Sequence, residues 1–371
     1  MSLREADYLL ALSCVRGIGG ARARLLLDVF GSGEDIFKAK FHQLSRVRGI
    51  PEKVARAIAD ADPGRITETV RNNCRRLGIA MIARSDERYP YRLAECLDSP
   101  LVLFYKGSAD LNPECSLSIV GTRRMSHYGK FVTELLVSEM TQWSATIISG
   151  LAYGIDFSAH RQALKKGLPT IAILPGGIDR IYPADHTQLA ARIAERGGLL
   201  SEMPPGTVPE KEYFPTRNRI IAGISDGTLI IESGESGGSM ITAYTAHGYE
   251  REVLAVPGRI SDPMSCGPNK LITNHVGIPV TTANDIAVHL GWGEPKMQQQ
   301  RLFEELTEEE QRVVNICREG NSTSMDELMV MLSISHQKLS SLLLSLEFKG
   351  AVRLLPGNRV VSFNNTTSQN E

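Results

Sequence analysis

An α/β fold, with a doubly wound Rossmann-like parallel sheet between two smaller helical domains, is what the sequence predicts. Three observations carry that expectation. The short β-branched runs "LSIVG", "ATIISG", "TIAILPGG", "GLLSE", "TLIIE", "VLAVPG" and "IPVTT" succeed one another within residues 66–290 without polar alternation, as strands buried on both faces do. Amphipathic stretches at about 130–142, 157–166, 186–196 and 240–249 separate several of them, giving the strand–helix–strand rhythm of a parallel sheet. Residues 1–63 read as all-helical and 306–363 as three helices with a hairpin.

The N-terminal region contains an internal echo. "VRGIGGARARLL" from Val15 and "VRGIPEKVARAI" from Val47 share Val-Arg-Gly-Ile and Ala-Arg in register. A Gly-x-Gly or Gly-x-Pro turn entering an amphipathic helix is the pattern of a helix-hairpin-helix, or SAM-like, unit. Its amides can face a phosphate, or its glycines can simply permit a tight helix-to-helix turn; both readings stay open. "IAMIA" and "PLVLFYKG" add preliminary strands ahead of the main run. Residues 291–305 read as a polar linker. Beyond them, "LTEEEQRVVNICREG", "SMDELMVMLSI" and "SHQKLSSLLLSLEFKG" predict three helices, and "AVRLLPGNRVVSF" predicts two strands joined at Pro356-Gly357-Asn358, together a winged-helix domain. Thr307 and Glu310 suit a capping box. The polar tail 364–371 is expected to be disordered.

Composition narrows the function classes. Hydrophobic content of 42% and charged content of 22% are globular values, and a net charge of −1 means that any polyanion site must come from local clustering of cations. The six cysteines are scattered, with no C-x-x-C pair, which fits a reducing compartment and neither a disulfide framework nor zinc. The apolar run "YLLALSCV" is flanked by Glu5 and Asp7, unlike a secretory leader, and no run reaches the roughly 18–20 residues of a membrane span. A cytoplasmic protein with no metal, cofactor or membrane association is expected.

In an open parallel sheet, ligands bind beyond the carboxyl ends of the strands. The residues expected there are Gly121-Thr122-Arg123-Arg124, Ser149-Gly150-Leu151-Ala152, Pro175-Gly176-Gly177, Glu232 with Gly237-Gly238-Ser239, and Pro257-Gly258-Arg259. Five small-residue turns converging on one rim would form a groove of N–H donors suited to a sugar-phosphate backbone. Arg217 and Arg219, flanking Asn218 in "YFPTRNRIIAG", add cations, at least one of which is expected to face solvent or ligand. Of Arg123, Arg217 and Arg219, at least one is expected to contact an anion, since Arg engages phosphate bidentately. The structural alternative pairs them with Asp226 or Glu232.

Two enzyme patterns compete. Gly234-Glu235-Ser236-Gly237-Gly238 matches a G-x-S-x-G nucleophile elbow, with Asp262 and His275 downstream, yet a phosphate turn explains the same residues. His160 lies four positions after Asp156, a helix-capping candidate, and reads as a packing histidine. "PGG" and "DGTLIIE" loosely echo lysine-decarboxylase-like, cytokinin-activating enzymes, with the two halves some fifty residues apart instead of contiguous.

The ordered series "IVGTRRMSHYG…IISGLAYGIDFSAHRQAL…TIAILPGGIDRIYP…FPTRNRIIAGISDGTLIIES…VLAVPG" closely resembles the DNA-processing protein A (DprA/Smf) family. The resemblance implies a non-enzymatic recombination mediator that binds single-stranded DNA, typically as a homodimer, and helps load RecA recombinase in natural transformation. It places the family's Gly-Ser-Arg turn on Gly121, Thr122 and Arg123, its Ser-Gly-Leu-Ala motif from Ser149 and Gly150, and its Phe-Pro-x-Arg-Asn-Arg motif on 214–219. With Gly238 and Ser239 these form the expected DNA-binding set, and Tyr128, Tyr153 and Phe214 are expected base-stacking platforms. Tyr153 stands where some members carry a cation, and Ser236-Gly237-Gly238-Ser239 replaces the family's Arg-Ser-Gly-Ser. The alternatives are a nucleotide or nucleoside-phosphate hydrolase using the same groove, with Glu232 as the residue to test, and a duplex-DNA regulator acting through the winged helix, whose 335–348 helix offers Lys338, His336 and Gln337, with Lys349 just beyond it.

Overall fold

The computed structural model describes residues 3–294, 307–319, 323–348, 351–355 and 359–362. Most of the expected linker, the Pro356–Asn358 turn, Lys349 and the 364–371 tail lie outside the described residues. The chain divides into two compact units, Met1–Lys296 and Met297–Glu371.

The first unit begins with six helices: α1 (Glu5–Cys14), α2 (Gly20–Phe30), α3 (Gly33–Lys38), α4 (Phe41–Leu44), α5 (Glu52–Ala59) and α6 (Pro63–Leu77). The sequence echo is a structural one. Gly17 (φ +90°) and Gly49 (φ +98°) both adopt the left-handed conformation that glycine tolerates. Each also abuts a side chain of the other repeat, Gly17 against Val54 and Gly49 against Leu25. The helices share a core with the sheet, in which Leu10, Leu26 and Ile58 are buried together with Phe104, Leu174 and Leu199.

The sheet alternates with the remaining helices: β1 (Ala80–Ala83), α7 (Tyr91–Ala94), β2 (Val102–Gly107), β3 (Ser116–Val120), α8 (His127–Glu139), β4 (Thr146–Ser149), α9 (Ile155–Lys165), β5 (Thr170–Ile173), α10 (Thr187–Arg196), β6 (Gly198–Ser201), α11 (Tyr213–Ile224), β7 (Gly227–Ile230), α12 (Gly238–Gly248), β8 (Glu252–Ala255), α13 (Cys266–Thr273), β9 (Ile278–Pro279) and α14 (Ala283–His289). The spatial order is β1-β2-β6-β5-β4-β3-β7-β8-β9. From β6 to β9 every pairing is parallel, and β3 to β7 are buried along their whole length. Two features depart from the expectation. β1 and β2 form an antiparallel margin, because the segment joining them holds only the one-turn α7 and no crossover helix. Helix α11, which contains "YFPTRNRIIAG", was not among the expected helices.

One carboxylate joins four parts of this unit. Asp226 Oδ1 accepts from Arg92 Nε at 2.5 Å, and Oδ2 accepts from Ser116 N at 2.8 Å and Trp292 Nε1 at 3.2 Å. Arg92 is 5% exposed, so the ion pair is largely shielded from solvent. Its guanidinium ties α7 to the turn entering β7.

In the second unit, α15 (Glu308–Glu319), α16 (Met325–Leu332) and α17 (His336–Phe348) accompany a small sheet of β10 (Thr323–Ser324), β11 (Val352–Leu355) and β12 (Arg359–Ser362), ordered β10-β12-β11. Val313, Leu328, Leu339, Leu346 and Val360 form its core. The expected capping box is present, with Glu310 Oε2 accepting from Thr307 N at 2.9 Å and Glu310 N donating to Thr307 Oγ1 at 3.3 Å.

Removing one member of a buried ion pair strands the other. Asp226→Ala is therefore expected to lower the unfolding free energy by about 3–5 kcal/mol, read as a shifted urea midpoint at unchanged slope.

Candidate nucleic-acid interface

The helices after β3 and β7 leave the sheet on opposite faces. α8 contributes Val132, Leu136 and Val137 to one core, and α12 contributes Met240, Ala243 and Ala246 to the other. The sheet's switch point therefore lies between the carboxyl ends of β3 and β7. A cleft of about 300 Å³ opens there, lined by Thr122, Arg123, Phe214, Asn218, Gly237 and Gly238 among others.

Glu232, at the end of β7, shapes the turn after β3. Its main-chain oxygen accepts from Thr122 N at 2.7 Å. Its carboxylate, 1% exposed, accepts from Ser126 N at 2.9 Å and from Ser126 Oγ. Ser126 in turn caps α8 through Gly129 N at 3.0 Å. Residues 122–126 thus form an arch with both feet on one residue, and Arg123 and Arg124 are exposed on its span. The Arg123 guanidinium lies 5.6 Å over the Phe214 ring, which meets Tyr182 edge-on at 5.4 Å. A Cβ on Gly121 would fall 2.6 Å from Ile155, so this glycine serves the packing of the turn against α9. Thr122 Oγ1 accepts from Arg124 N at 3.2 Å.

Both arginines of α11 are largely buried and engaged by protein partners, although Arg217 still lines the cleft. Arg217 is 5% exposed, and its Nη1 donates to Ile173 O at 2.8 Å and to Gly150 O. Burial pulls its pKa down to about 10, an effect that the neighbouring Asp156 charge opposes. Asp156 is itself pushed up by burial. Arg219 Nη2 donates to Glu202 Oε2 at 2.6 Å, and its Nη1 to Asp98 O. The partners are thus neither Asp226 nor Glu232. A helical stripe gives the signal: Arg217, Ile220, Ile221 and Ile224 are all buried on α11, and their spacing follows the i, i+3, i+4, i+7 rule.

Ser149 and Gly150 are also committed internally. Ser149 Oγ donates to Ile119 O at 2.6 Å, and Gly150 N donates to Asp156 Oδ2 at 3.1 Å. A Cβ at Gly150 would overlap Arg217 Nη1. Asn218, half-buried, lines the cleft. Gly238 opens α12 with free space around it and no side-chain cap. Ser239, which also lines the cleft, donates its hydroxyl to Ser233 Oγ at 2.7 Å. Tyr128 and Tyr153 are exposed, with hydroxyls donating to Pro257 O at 3.3 Å and Asp185 Oδ2 at 2.8 Å.

Two of the five expected strand ends do not open into the cleft. The β5 turn is covered by the 203–209 loop, with Gly177 N donating to Thr207 O at 2.9 Å. Beyond β8, Gly258 is held by Asn269 Oδ1 at 3.1 Å. The enzyme patterns find no assembled site: among the described residues no hydrogen bond or ion pair joins Ser236, Asp262 and His275, and Asp262 Oδ1 accepts from Met264 N. His160 Nδ1 lies 2.7 Å from Thr170 Oγ1, whose own proton goes to Ile147 O, so Nδ1 is the donor. Burial pushes His160 down to about 3. On α17, Lys338 pairs with Glu309 at 2.6 Å.

Fold and cleft together define a Rossmann-like protein whose switch point presents a cation, an aromatic ring and an open helix start. The sequence comparisons go further. Residues 80–291 match the family model for DNA recombination-mediator protein A, 297–358 the DprA winged-helix domain and 9–63 a SAM-like helix-hairpin-helix tandem. The chain belongs to the DNA recombination-mediator protein A family. It is 45% identical over 199 residues to DNA processing protein DprA of Bacillus subtilis, covering 53% of this chain and 67% of that one. It is 33% identical over 299 residues to protein Smf of Synechocystis, covering 78% and 74%. The crystal structure of Streptococcus pneumoniae DNA processing protein A superimposes with a TM-score of 0.65 at 30% identity, covering 78% of this chain and 98% of that one. A Helicobacter pylori structure concerned with that protein's single-stranded-DNA binding mode gives a TM-score of 0.52 at 29% identity, covering 57% and 95%.

Arg217→Ala leaves two carbonyls and Asp156 without their cation and should cost about 3–5 kcal/mol of stability in a denaturant titration, whereas Arg123→Ala should leave the midpoint unchanged. His160 also makes stability pH-dependent. Unfolded, it binds a proton near the ordinary imidazole pKa of 6.5, whereas the folded chain resists until about 3, so stability falls as pH drops through that window. The slope approaches about 1.4 kcal/mol per pH unit; it should be absent from His160→Gln and should therefore remain in the difference between wild type and that variant.

Proposed function

We infer that this protein is a single-stranded-DNA-binding recombination mediator that helps load RecA recombinase onto incoming strands during natural transformation. It would act in the cytoplasm as a homodimer. The observation that carries the reading is Arg123, held on a short arch over Phe214 beside the uncapped start of α12. Phosphate meets a guanidinium there, with Phe214 bordering the cleft as a further stacking candidate, and unpaired bases meet the exposed rings of Tyr128 and Tyr153. The Helicobacter pylori relative, whose structure concerns its single-stranded-DNA binding mode, supports a single strand as the ligand. The Bacillus and Streptococcus relatives named as DNA processing proteins support the wider role. Tyr128 and Tyr153, both exposed, extend the stacking surface. Thr122, Asn218 and Gly238 supply its polar contacts, and Ser149, Gly150, Arg217, Arg219 and Ser239 hold its floor and walls in place.

The hydrolase alternative has lost its most useful residue. The Glu232 carboxylate is engaged by Ser126 and shielded from solvent, which suits a clamp better than a general base.

Gel shifts with single-stranded and duplex DNA across a salt series test the reading. Wild type should favour the single strand, and Arg123→Ala should weaken binding for every sequence while lowering the salt slope by about 0.7 to 1 unit. An unchanged slope in a folded variant removes Arg123 as a phosphate ligand, and base released from nucleoside monophosphates would restore the enzyme reading.

A further inference from the structure

The two hairpins of the helical region have nearly the same sequence and opposite surroundings. The first is docked. A Cβ on Gly20 would fall 2.1 Å from Asp98 O and 2.4 Å from Ser99 O, so the start of α2 lies directly on the main chain of the sheet region. Arg16 and Gly17 line a cleft shared with Glu202, Glu210 and Glu212, where an approaching polyanion would meet three carboxylates. Arg22 Nη1 is spent on Gly17 O at 2.7 Å.

The second hairpin is open. Arg46, Arg48 and Lys53 are exposed around Gly49, and none of the three has an ion-pair or side-chain hydrogen-bond partner among the described residues. The turn that carries them is stiff, because Gly49 holds φ +98° and buried Ile50 donates its N–H to Val47 O at 3.0 Å. Glu52 is the acid at this turn, and it is 76% exposed and only loosely paired with Arg56 at 3.9 Å. Across residues 15–58 there are nine Lys and Arg against four Asp and Glu, a local charge of +5 in a chain whose net charge is −1. The nearby ring, Phe41, is covered by the Arg56 guanidinium at 4.6 Å.

A cluster of exposed, unpaired cations displayed from a hydrogen-bonded turn, without an open aromatic ring beside it, reads phosphates and has no means of stacking bases. Regularly spaced phosphates suit it better than those of a flexible strand. We propose that the second hairpin, through Arg46, Arg48 and Lys53, grips the phosphate backbone of duplex DNA at a site separate from the switch-point cleft, while the first hairpin only anchors the helical region to the sheet. One protein would thereby hold a strand and a duplex together, as pairing an incoming strand with its duplex target requires. The assignment does not depend on the role of Arg123.

Full-length protein, a duplex and its matching single strand, and a salt series provide the test. The combined Arg46→Ala, Arg48→Ala, Lys53→Ala protein should bind duplex about tenfold or more weakly at low salt, with a salt slope lower by about 2 to 3 units. Its single-strand binding should change less than about twofold, and its melting temperature should be that of wild type. Arg46→Lys with Arg48→Lys should retain duplex binding, and Arg16→Ala with Arg22→Ala should not weaken it. An unchanged duplex slope, an equal loss of single-strand binding, an equal effect of the first-hairpin pair, or no duplex binding by wild type would each overturn the proposal. Failure of Arg123→Ala to alter single-strand binding would count only against the cleft.

Discussion

The cleft depends on Glu232. A buried carboxylate is tolerable only with its lone pairs occupied, and Ser126 occupies them with a main-chain and a hydroxyl donor while the Glu232 main chain receives Thr122. One residue at the end of β7 therefore fixes both ends of the turn that follows β3. The two strands that define the switch point are joined through it, and the Arg123 side chain is displayed from a loop whose feet have little freedom. A cation held in this way loses less conformational freedom on meeting a phosphate than one on a slack loop. Its position over Phe214 restrains it further.

Arg217 performs the complementary task from below. It connects the carboxyl ends of β4 and β5 through Gly150 O and Ile173 O, with Asp156 balancing its charge. The motif that contains it, Phe214 to Arg219, thus divides its labour: Phe214 faces the cleft, Asn218 borders it, and both arginines are internal struts. Basic residues in this motif serve to build the cleft, since the guanidiniums of Arg217 and Arg219 bond to carbonyls and a carboxylate of the protein itself.

Much of the fold was legible in the sequence because strands buried on both faces leave unbroken β-branched runs, and every strand of the parallel array corresponds to one. Helix α11 was obscured by Pro215 near its start and by two arginines that look like surface residues. Burial of Arg217 follows from its i+3 and i+4 relation to Ile220 and Ile221, a pattern that a focus on charge passes over. The strand-end turns were legible as turns, but their local sequence does not show which ones a distant loop will cover. Gly177 meets Thr207 and Gly258 meets Asn269, both through contacts set by chain segments beyond the turn itself. Arg123 and Gly238 were recognisable because their neighbourhoods are local and open.

The antiparallel margin has a consequence for solubility. An uncovered outer strand is a template on which another chain can extend the sheet. Here β1 is only four residues long, and α1 and α6 pack beside it, while the hydrophobic core continues from those helices into β2 through Phe104. On the side of the sheet farthest from the cleft, the helical region thus packs beside an outermost strand whose four residues offer another chain little length to pair with.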